Sequence, residues 1–312
     1  MFRSCVSRQR ESVNNFSSKY LGSKHLGRKC HSSPAAAGRC RFSWQRAMLA
    51  ALGCATLLAT TPVNGIVIRH DRADSSYVID PGLYPQLFHL QERNQRKVCL
   101  ATLIAPRWAL TAGHCVDDTP LRSTLDQGLS YTLTVAGSSY GVDRLVVHPD
   151  YSNGSLLQGV DLALLRLDQA VDGVVPVALQ RATDEAEHVA TLVGWGSTGT
   201  GTSGRRRNDG KFRRAENRVD VAGEWLEIHF DDPRLPDSNA LALEGVPGLG
   251  DSGGPALLDH DGVLTLIGIA VGEVASEGID QRQGLYGATG VYERISRHAA
   301  WIDAVLAAGT AP

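Results

Sequence analysis

What this 312-residue chain lacks narrows the field first. It has no apolar run of the about 20 residues that a membrane-crossing helix needs; the longest candidate, "AMLAALGCATLLAT" at residues 47–60, stops at fourteen. A stable membrane span is therefore not expected. Cysteine is scarce where it would matter: Cys5, Cys30, Cys40 and Cys54 precede residue 65, leaving only Cys99 and Cys115 beyond it. That excludes a scaffold held by many disulfides. Positive charge is lacking in the same region. Residues 1–65 hold ten of the 31 Lys/Arg and one of the 33 Asp/Glu, so residues 66–312 carry 21 against 32, a net −11. An acidic body excludes the basic footprint of a nucleic-acid binder. No internal repeat is present, and no His/Cys/Asp/Glu grouping has metal-ligand spacing, so no metal and no cofactor is expected.

The basic head, residues 1–65, has the composition of an address. It is rich in Arg and Ser, and Arg39, Arg41 and Arg46 precede the apolar run, followed by small residues at Val63 and Gly65. That order fits a signal peptide over residues 47–65. The same composition suits an organelle transit peptide, and the run alone would also suit a buried helix. Secretion, to the extracellular space or a periplasm, is the expectation.

From residue 66 on, apolar stretches are short, rich in Val, Ile, Leu and Thr, and broken by Gly, Pro, Asp or Asn. "YTLTVAG", "RLVVHP", "ATLVGWG" and "VLTLIGIAVG" are examples. This spacing predicts an all-β sandwich or barrel. The C-terminal "RISRHAAWIDAVLAAG" breaks the pattern: Ile295, Ala299, Ile302, Val305 and Leu306 fall near helical spacing, and Gly309 is placed to close a helix. "GWGSTG" at residues 194–199 fits a dinucleotide-binding glycine pattern, but no helical periodicity follows to hold a pyrophosphate. The Arg-rich run 205–214 that does follow reads as a solvated loop open to nicking.

Three stretches carry chemistry. "GLGDSGGPA" at residues 248–256 sets one hydroxyl, Ser252, among four glycines. Alone it reads as a surface turn. "TAGHC" puts His114 beside Cys115, one of the two body cysteines; in a secreted chain Cys99 and Cys115 are expected to pair, free buried thiols being the alternative. "VDLALLRL" sets Asp161 at the mouth of an apolar run, where a turn residue is the plain reading and a partly buried carboxylate seeking an N–H partner the sharper one. Together they supply a nucleophile, a base to take its proton, and a carboxylate to orient that base. The glycines around Ser252 leave the N–H groups of Gly250 and Ser252 available to a developing oxyanion, worth roughly 3 kcal/mol of barrier per donor.

With "TAGHC", "VDLALLRL" and "GDSGGP" in this order, at separations of 47 and 91 residues, the chain resembles the chymotrypsin/trypsin family of serine endopeptidases. "LVGWGS", "RRAENRVD", "LIGIAVG" and "GVYERIS" extend the likeness over about residues 66–312. The resemblance implies two six-stranded antiparallel β-barrels and a C-terminal helix, the first barrel over about 66–181 and the second over about 182–312. It assigns His114 as base, Asp161 as its orienting acid, Ser252 as nucleophile, and Gly250 and Ser252 as the oxyanion hole. It further implies that Asp251 pairs with an N-terminus freed at Ile66, where "GIVIRH" directly follows the expected signal cleavage at Gly65. Substrates would be proteins or peptides, protein inhibitors are conceivable partners, and a monomer is expected.

The chain departs from the family at the specificity pocket. Val246 stands where trypsin-like members carry an acid, Gly248 replaces a cysteine, and Val271–Gly272–Glu273 replaces Ser-Trp-Gly, while Gly290 is kept on the opposite wall. An unpaired buried cation is costly, so an uncharged, small to medium apolar P1 residue is expected, with Glu273 and Glu244 as the acids that could reverse this. The other function class is a catalytically silent module of the same fold that only binds.

Overall fold

The computed structural model describes residues 65–94, 96–152, 158–275 and 283–310, apart from the side chains of 205–207 and 310. The expectations for residues 1–64, signal segment included, lie outside the described residues. The first strand, β1 (Val67–Ile68), is followed by β2 (Leu87–Arg93), β3 (Arg96–Ala105), β4 (Trp108–Thr111), β5 (Tyr131–Val135), β6 (Ser138–Val147) and β7 (Ala163–Leu167). Strands β2 to β7 form a six-stranded sheet in the order β2-β3-β4-β7-β6-β5, antiparallel throughout. The Tyr131 hydroxyl on β5 donates to the Leu90 carbonyl on β2 at 2.7 Å, tying the two edges into a barrel-like form. The period-two pattern that predicted strands is visible in β5, where Leu133 and Val135 are buried between exposed Thr132 and Thr134.

The second half supplies β8 (Ala178–Leu179), β9 (Val189–Gly194), β10 (Thr198–Thr200), β11 (Gly204–Arg207), β12 (Arg213–Arg218), β13 (Val221–Ala222), β14 (Trp225–His229), β15 (Gly245–Val246), β16 (Pro255–His260), β17 (Val263–Val274) and β18 (Thr289–Arg294). Seven of these run β12-β9-β16-β17-β18-β14-β13, and β8 adds to β17, giving an eight-stranded barrel-like sheet where six strands were expected; two of the eight, β8 and β13, are only two residues long. A smaller sheet, β11-β10-β1-β15, clamps β1 between two second-half strands. Residues 66–78, expected with the first barrel, thus lie against the second: Val67 pairs with Gly199 and Val246, and Val78 bridges Arg213.

The C-terminal helix is present. Short helices α1 (Gly113–Asp118) and α2 (Leu121–Asp126), too brief for a periodic signal, precede α3 (Ile295–Thr310). Helix α3 buries Ile295, Ala299 and Ile302. Gly309 lies inside this helix rather than closing it; a Cβ there would meet the Trp108 ring at 2.3 Å, so close packing accounts for the glycine. "GWGSTG" runs into strand β10, which begins at its Thr198, and β11 follows instead of a helix. The solvated-loop reading of 205–214 is corrected at Arg213. Its side chain is fully buried because two carboxylates meet it: Asp74 at 2.8 Å and Asp209 at 3.0 Å. No helix among the described residues is long and apolar enough to cross a membrane.

Candidate active site

Strand β4 ends at Thr111, and Ala112 turns the chain into α1, so that His114 sits in its first turn. Its backbone N–H donates to Asp161 Oδ1 at 2.7 Å, and its Nδ1–H donates to Asp161 Oδ2 at 2.6 Å. Bonding both oxygens to one residue fixes ring orientation and tautomer together: Nδ1 carries the proton, and Nε2 keeps the lone pair. Burial works to lower the His114 pKa, but the hydrogen bond and charge of Asp161, helped by Asp118 and Asp117, outweigh it and raise the value above the ordinary one. The expected disulfide is formed: Cys99 on β3 and Cys115 on α1 are joined at 2.08 Å, pinning the first turn of α1 to the sheet. The one Cys/His grouping found among the described residues is Cys99, His114 and Cys115, and the disulfide consumes both thiolates it could offer a metal.

Asp161 is itself held from behind. Its N–H donates to Glu293 Oε1 at 2.8 Å, and Glu293 Oε2 lies 3.3 Å from His298 Nε2. Glu293 is 2% exposed, on a strand whose six residues are all buried. Reading the sequence for motifs missed Glu293 and His298. The available signal was the "ER" pair at Glu293–Arg294 inside an otherwise apolar strand, since charges placed there must find partners. Arg294 finds Glu185 at 2.5 Å.

The loop 248–254 is stitched to both sheets. The Ser252 carbonyl accepts from Leu100 N at 2.8 Å, and Gly253 N donates to the Ala270 carbonyl at 2.7 Å. Gly253 is required: its φ is +77°, and a Cβ would lie 2.2 Å from the Leu100 carbonyl oxygen. Gly250 has φ +101° and backs onto the Lys97 carbonyl. Among the described residues, the N–H groups of Gly250 and Ser252 donate to no acceptor. Ser252 and His114 line one cavity of about 210 Å³, with no hydrogen bond between the hydroxyl and the imidazole. Nucleophile–base contacts are commonly long without substrate and tighten when it binds.

Asp251 is buried, and its carboxylate accepts Gly196 N at 2.6 Å, Gly248 N at 2.9 Å and Ile66 N at 3.3 Å. Burial raises its pKa to about 6, the three backbone donors pulling the other way. Ile66 is 1% exposed and has φ +54°. A β-branched residue in that region carries strain of about 1–2 kcal/mol. Gly65 before it is buried as well; a Cβ there would meet the Trp195 carbonyl carbon at 2.6 Å.

The residues expected to shape the specificity pocket separate into two groups. Val271, Gly272 and Glu273 line the cavity shared by His114 and Ser252. Val246 and Gly290 are not among its lining residues: Val246 packs with Val67, Phe230 and Tyr286, and Gly290 faces the Pro247 ring. Of the two rival acids, Glu244 is fully buried and accepts from Asp231 N at 2.6 Å and from Leu241 N at 2.5 Å, away from the cavity. Burial raises its pKa to about 7. Glu273 does line the cavity and accepts from Gly284 N at 2.7 Å.

Comparison with known proteins bears on the family and the fold. The sequence model of the family described as Trypsin matches residues 78–302, more than half of the chain. Human granzyme M is 29% identical over 202 residues, spanning 60% of this chain and 74% of the granzyme sequence. Among solved structures, neuropsin, a serine protease expressed in the limbic system of mouse brain, superposes with a TM-score of 0.54 at 20% identity, covering 74% of this chain and 98% of neuropsin.

Proposed function

This chain belongs to the trypsin family of serine endopeptidases, hydrolases of peptide bonds in proteins, and we propose that it works through Ser252, His114 and Asp161 as a secreted enzyme. The observation that carries this reading is the double hydrogen bond from His114 to Asp161, in a cavity that Ser252 also lines. Ser252 Oγ attacks the scissile carbonyl carbon while His114 Nε2 takes the hydroxyl proton. Asp161 holds the resulting imidazolium in place, and the oxyanion accepts hydrogen bonds from Gly250 and Ser252 N–H. The imidazolium then protonates the departing amine as the C–N bond breaks, leaving an acyl ester on Ser252. Water, deprotonated by His114, hydrolyses that ester and restores the free hydroxyl.

The small cavity and the lack of a cation partner at Val246 favour an uncharged, small to medium apolar P1 residue. Two acids, Asp118 and Glu273, line the cavity; the bond from Gly284 N holds the Glu273 carboxylate, which limits its reach towards a substrate cation. A P1 library tests the point: dominant cleavage after Arg or Lys would refute it and implicate Glu273. Activation is proposed to follow from cleavage after Gly65, which releases the strain at Ile66 and turns its amide into an ammonium facing Asp251. Signal removal would then create the active N-terminus without a separate zymogen stage. N-terminal sequencing of the active secreted protein checks this: any start other than Ile66 rules out activation by signal cleavage. The enzyme is proposed to act as a monomer on protein or peptide substrates, open to protein inhibitors. Ser252→Ala should abolish peptide hydrolysis with the fold intact, and Asp161→Asn should lower kcat by about 10⁴ through loss of the correct tautomer. Near-normal kcat for either variant contradicts the assignment.

A further inference from the structure

Ser252 lines a second cavity, of about 260 Å³, whose charge is opposite to that of the first. Arg93, Arg96 and Lys97 line it along with Asp118, Gly250 and Ser252. The cavity shared with His114 has Asp118 and Glu273 in its wall and no Lys or Arg. A peptide whose scissile carbonyl sits at Ser252 extends into both. Because the proposed function places the acyl-side residue against Val271–Glu273, the second cavity takes the residues after the scissile bond. This inference rests on that reading.

The cations are arranged in a way the fold alone does not require. Arg93 and Arg96 are directly paired across the β2–β3 hairpin, and like charges opposite each other destabilise a hairpin. Among the described residues neither forms an ion pair with a carboxylate. Arg93 donates to Gln91 Oε1 at 2.5 Å and to the Asp118 carbonyl at 2.7 Å, both neutral acceptors. The Arg96 side chain makes no hydrogen bond or ion pair among the described residues. Only Lys97 is neutralised, by Glu92. The backbone of this hairpin also reaches the oxyanion loop, since the Lys97 carbonyl lies 2.8 Å from where a Gly250 Cβ would be. Two guanidinium groups without an ion-pair partner are thus held in one cavity with Gly250 and Ser252. Asp118 offsets one charge and leaves an excess of positive charge.

We infer that Arg93 and Arg96 form a leaving-group subsite selective for acidic residues, Asp or Glu, immediately after the scissile bond. The test uses quenched fluorescent peptides identical on the acyl side and bearing Asp-Glu, Ser-Gln or Lys-Arg after the scissile bond. The expected order of kcat/KM is acidic, neutral, basic, with acidic favoured over neutral by about 5-fold at low salt, the effect of two exposed charge contacts. That ratio should shrink towards one in 0.5 M NaCl, because exposed charges are screened. It should also shrink in R93Q/R96Q, while R93K/R96K retains it. A ratio of one or less in wild type, or a ratio unchanged by R93Q/R96Q, overturns the inference. A peptide anilide, which has no residue after the scissile bond, separates the two levels. If wild type hydrolyses it and shows no acidic preference, this inference alone fails; if wild type hydrolyses neither anilide nor peptides, the protease reading falls and takes the inference with it.

Discussion

Asp251→Asn probes the proposed link between chain cleavage and the Ser252 loop. Asp251 is 1% exposed and holds three backbone N–H groups on two oxygens, Ile66 and Gly248 on Oδ2 and Gly196 on Oδ1. Asparagine keeps one acceptor oxygen and puts an NH₂ where the other was, so at least one buried donor faces a donor, at about 1–3 kcal/mol. Once cleavage makes Ile66 N an ammonium 3.3 Å from the carboxylate, the Coulomb attraction at an effective dielectric of 20 is about 5 kcal/mol. Removing one member of such a buried pair costs roughly 3–5 kcal/mol. A loss near 4 kcal/mol shifts a loop equilibrium by about 10³, so kcat/KM on a peptide anilide should fall by about 10² to 10³. The pH dependence of stability gives a second readout. In the uncleaved chain the folded pKa of Asp251, about 6, lies above its ordinary 3.8. The native state therefore holds its proton longer than the unfolded state; this stabilisation is full below about pH 4 and lost as pH rises through about 6. Cleavage reverses the sign, because the ammonium favours the ionised carboxylate. Melting temperatures of cleaved and uncleaved protein should then diverge between pH 4 and 7. An Asp251→Asn protein sequenced to start at Ile66 and retaining kcat/KM within threefold would refute the reasoning.

Three other outcomes follow from the same contacts. Glu293→Leu leaves Asp161 N–H and His298 without their acceptor, so kcat should fall by about 10- to 100-fold with little change in KM, matching 1–3 kcal/mol for an orphaned buried donor; Glu293→Gln, which keeps an acceptor oxygen, should recover most of it. Gly253→Ala should lower thermal stability sharply and abolish Ser252 reactivity, because its Cβ meets the Leu100 carbonyl at 2.2 Å; a variant melting within 2 °C of wild type contradicts that packing. The log of kcat/KM should fall on the acid side with a midpoint above the ordinary imidazole value, since Asp161 raises His114 and only the neutral ring accepts a proton; a midpoint below pH 6 would contradict the His114–Asp161 geometry.

The residues proposed to carry chemistry were legible as a set of short motifs. Ser252 among glycines and Asp161 before an apolar run each read alone as turn residues, and His114 is marked by the adjoining cysteine; it is the three motifs together, in order, that point to a nucleophile, base and orienting acid. The strand patterns predicted an all-β sandwich or barrel, the family resemblance narrowed that to barrels, and Ile295–Leu306 predicted the last helix. What stayed hidden depends on contacts distant in sequence. Arg213 reads as part of a solvated basic run until Asp74, 139 residues away, is seen to bury it. Glu293 looks like a stray charge on a strand until Asp161 N–H, 132 residues away, reaches it. Val246 was legible as a non-acid, but its packing with Val67, Phe230 and Tyr286 instead of in the cavity lining was not. Glu244 and Glu273 were equivalent as letters; only the fold shows that backbone amides hold Glu244 elsewhere and leave Glu273 at the cavity.

Covalent labelling with a fluorophosphonate tests the central claim most directly, because the probe reacts only with a serine whose proton can be taken by a poised base. Protein beginning at Ile66 should gain one adduct, located by peptide mass spectrometry at Ser252, and His114→Ala and Ser252→Ala should each abolish it while melting as wild type does. Folded, correctly processed wild-type protein that takes no label, or takes it at another residue, would contradict the account and favour a module that only binds.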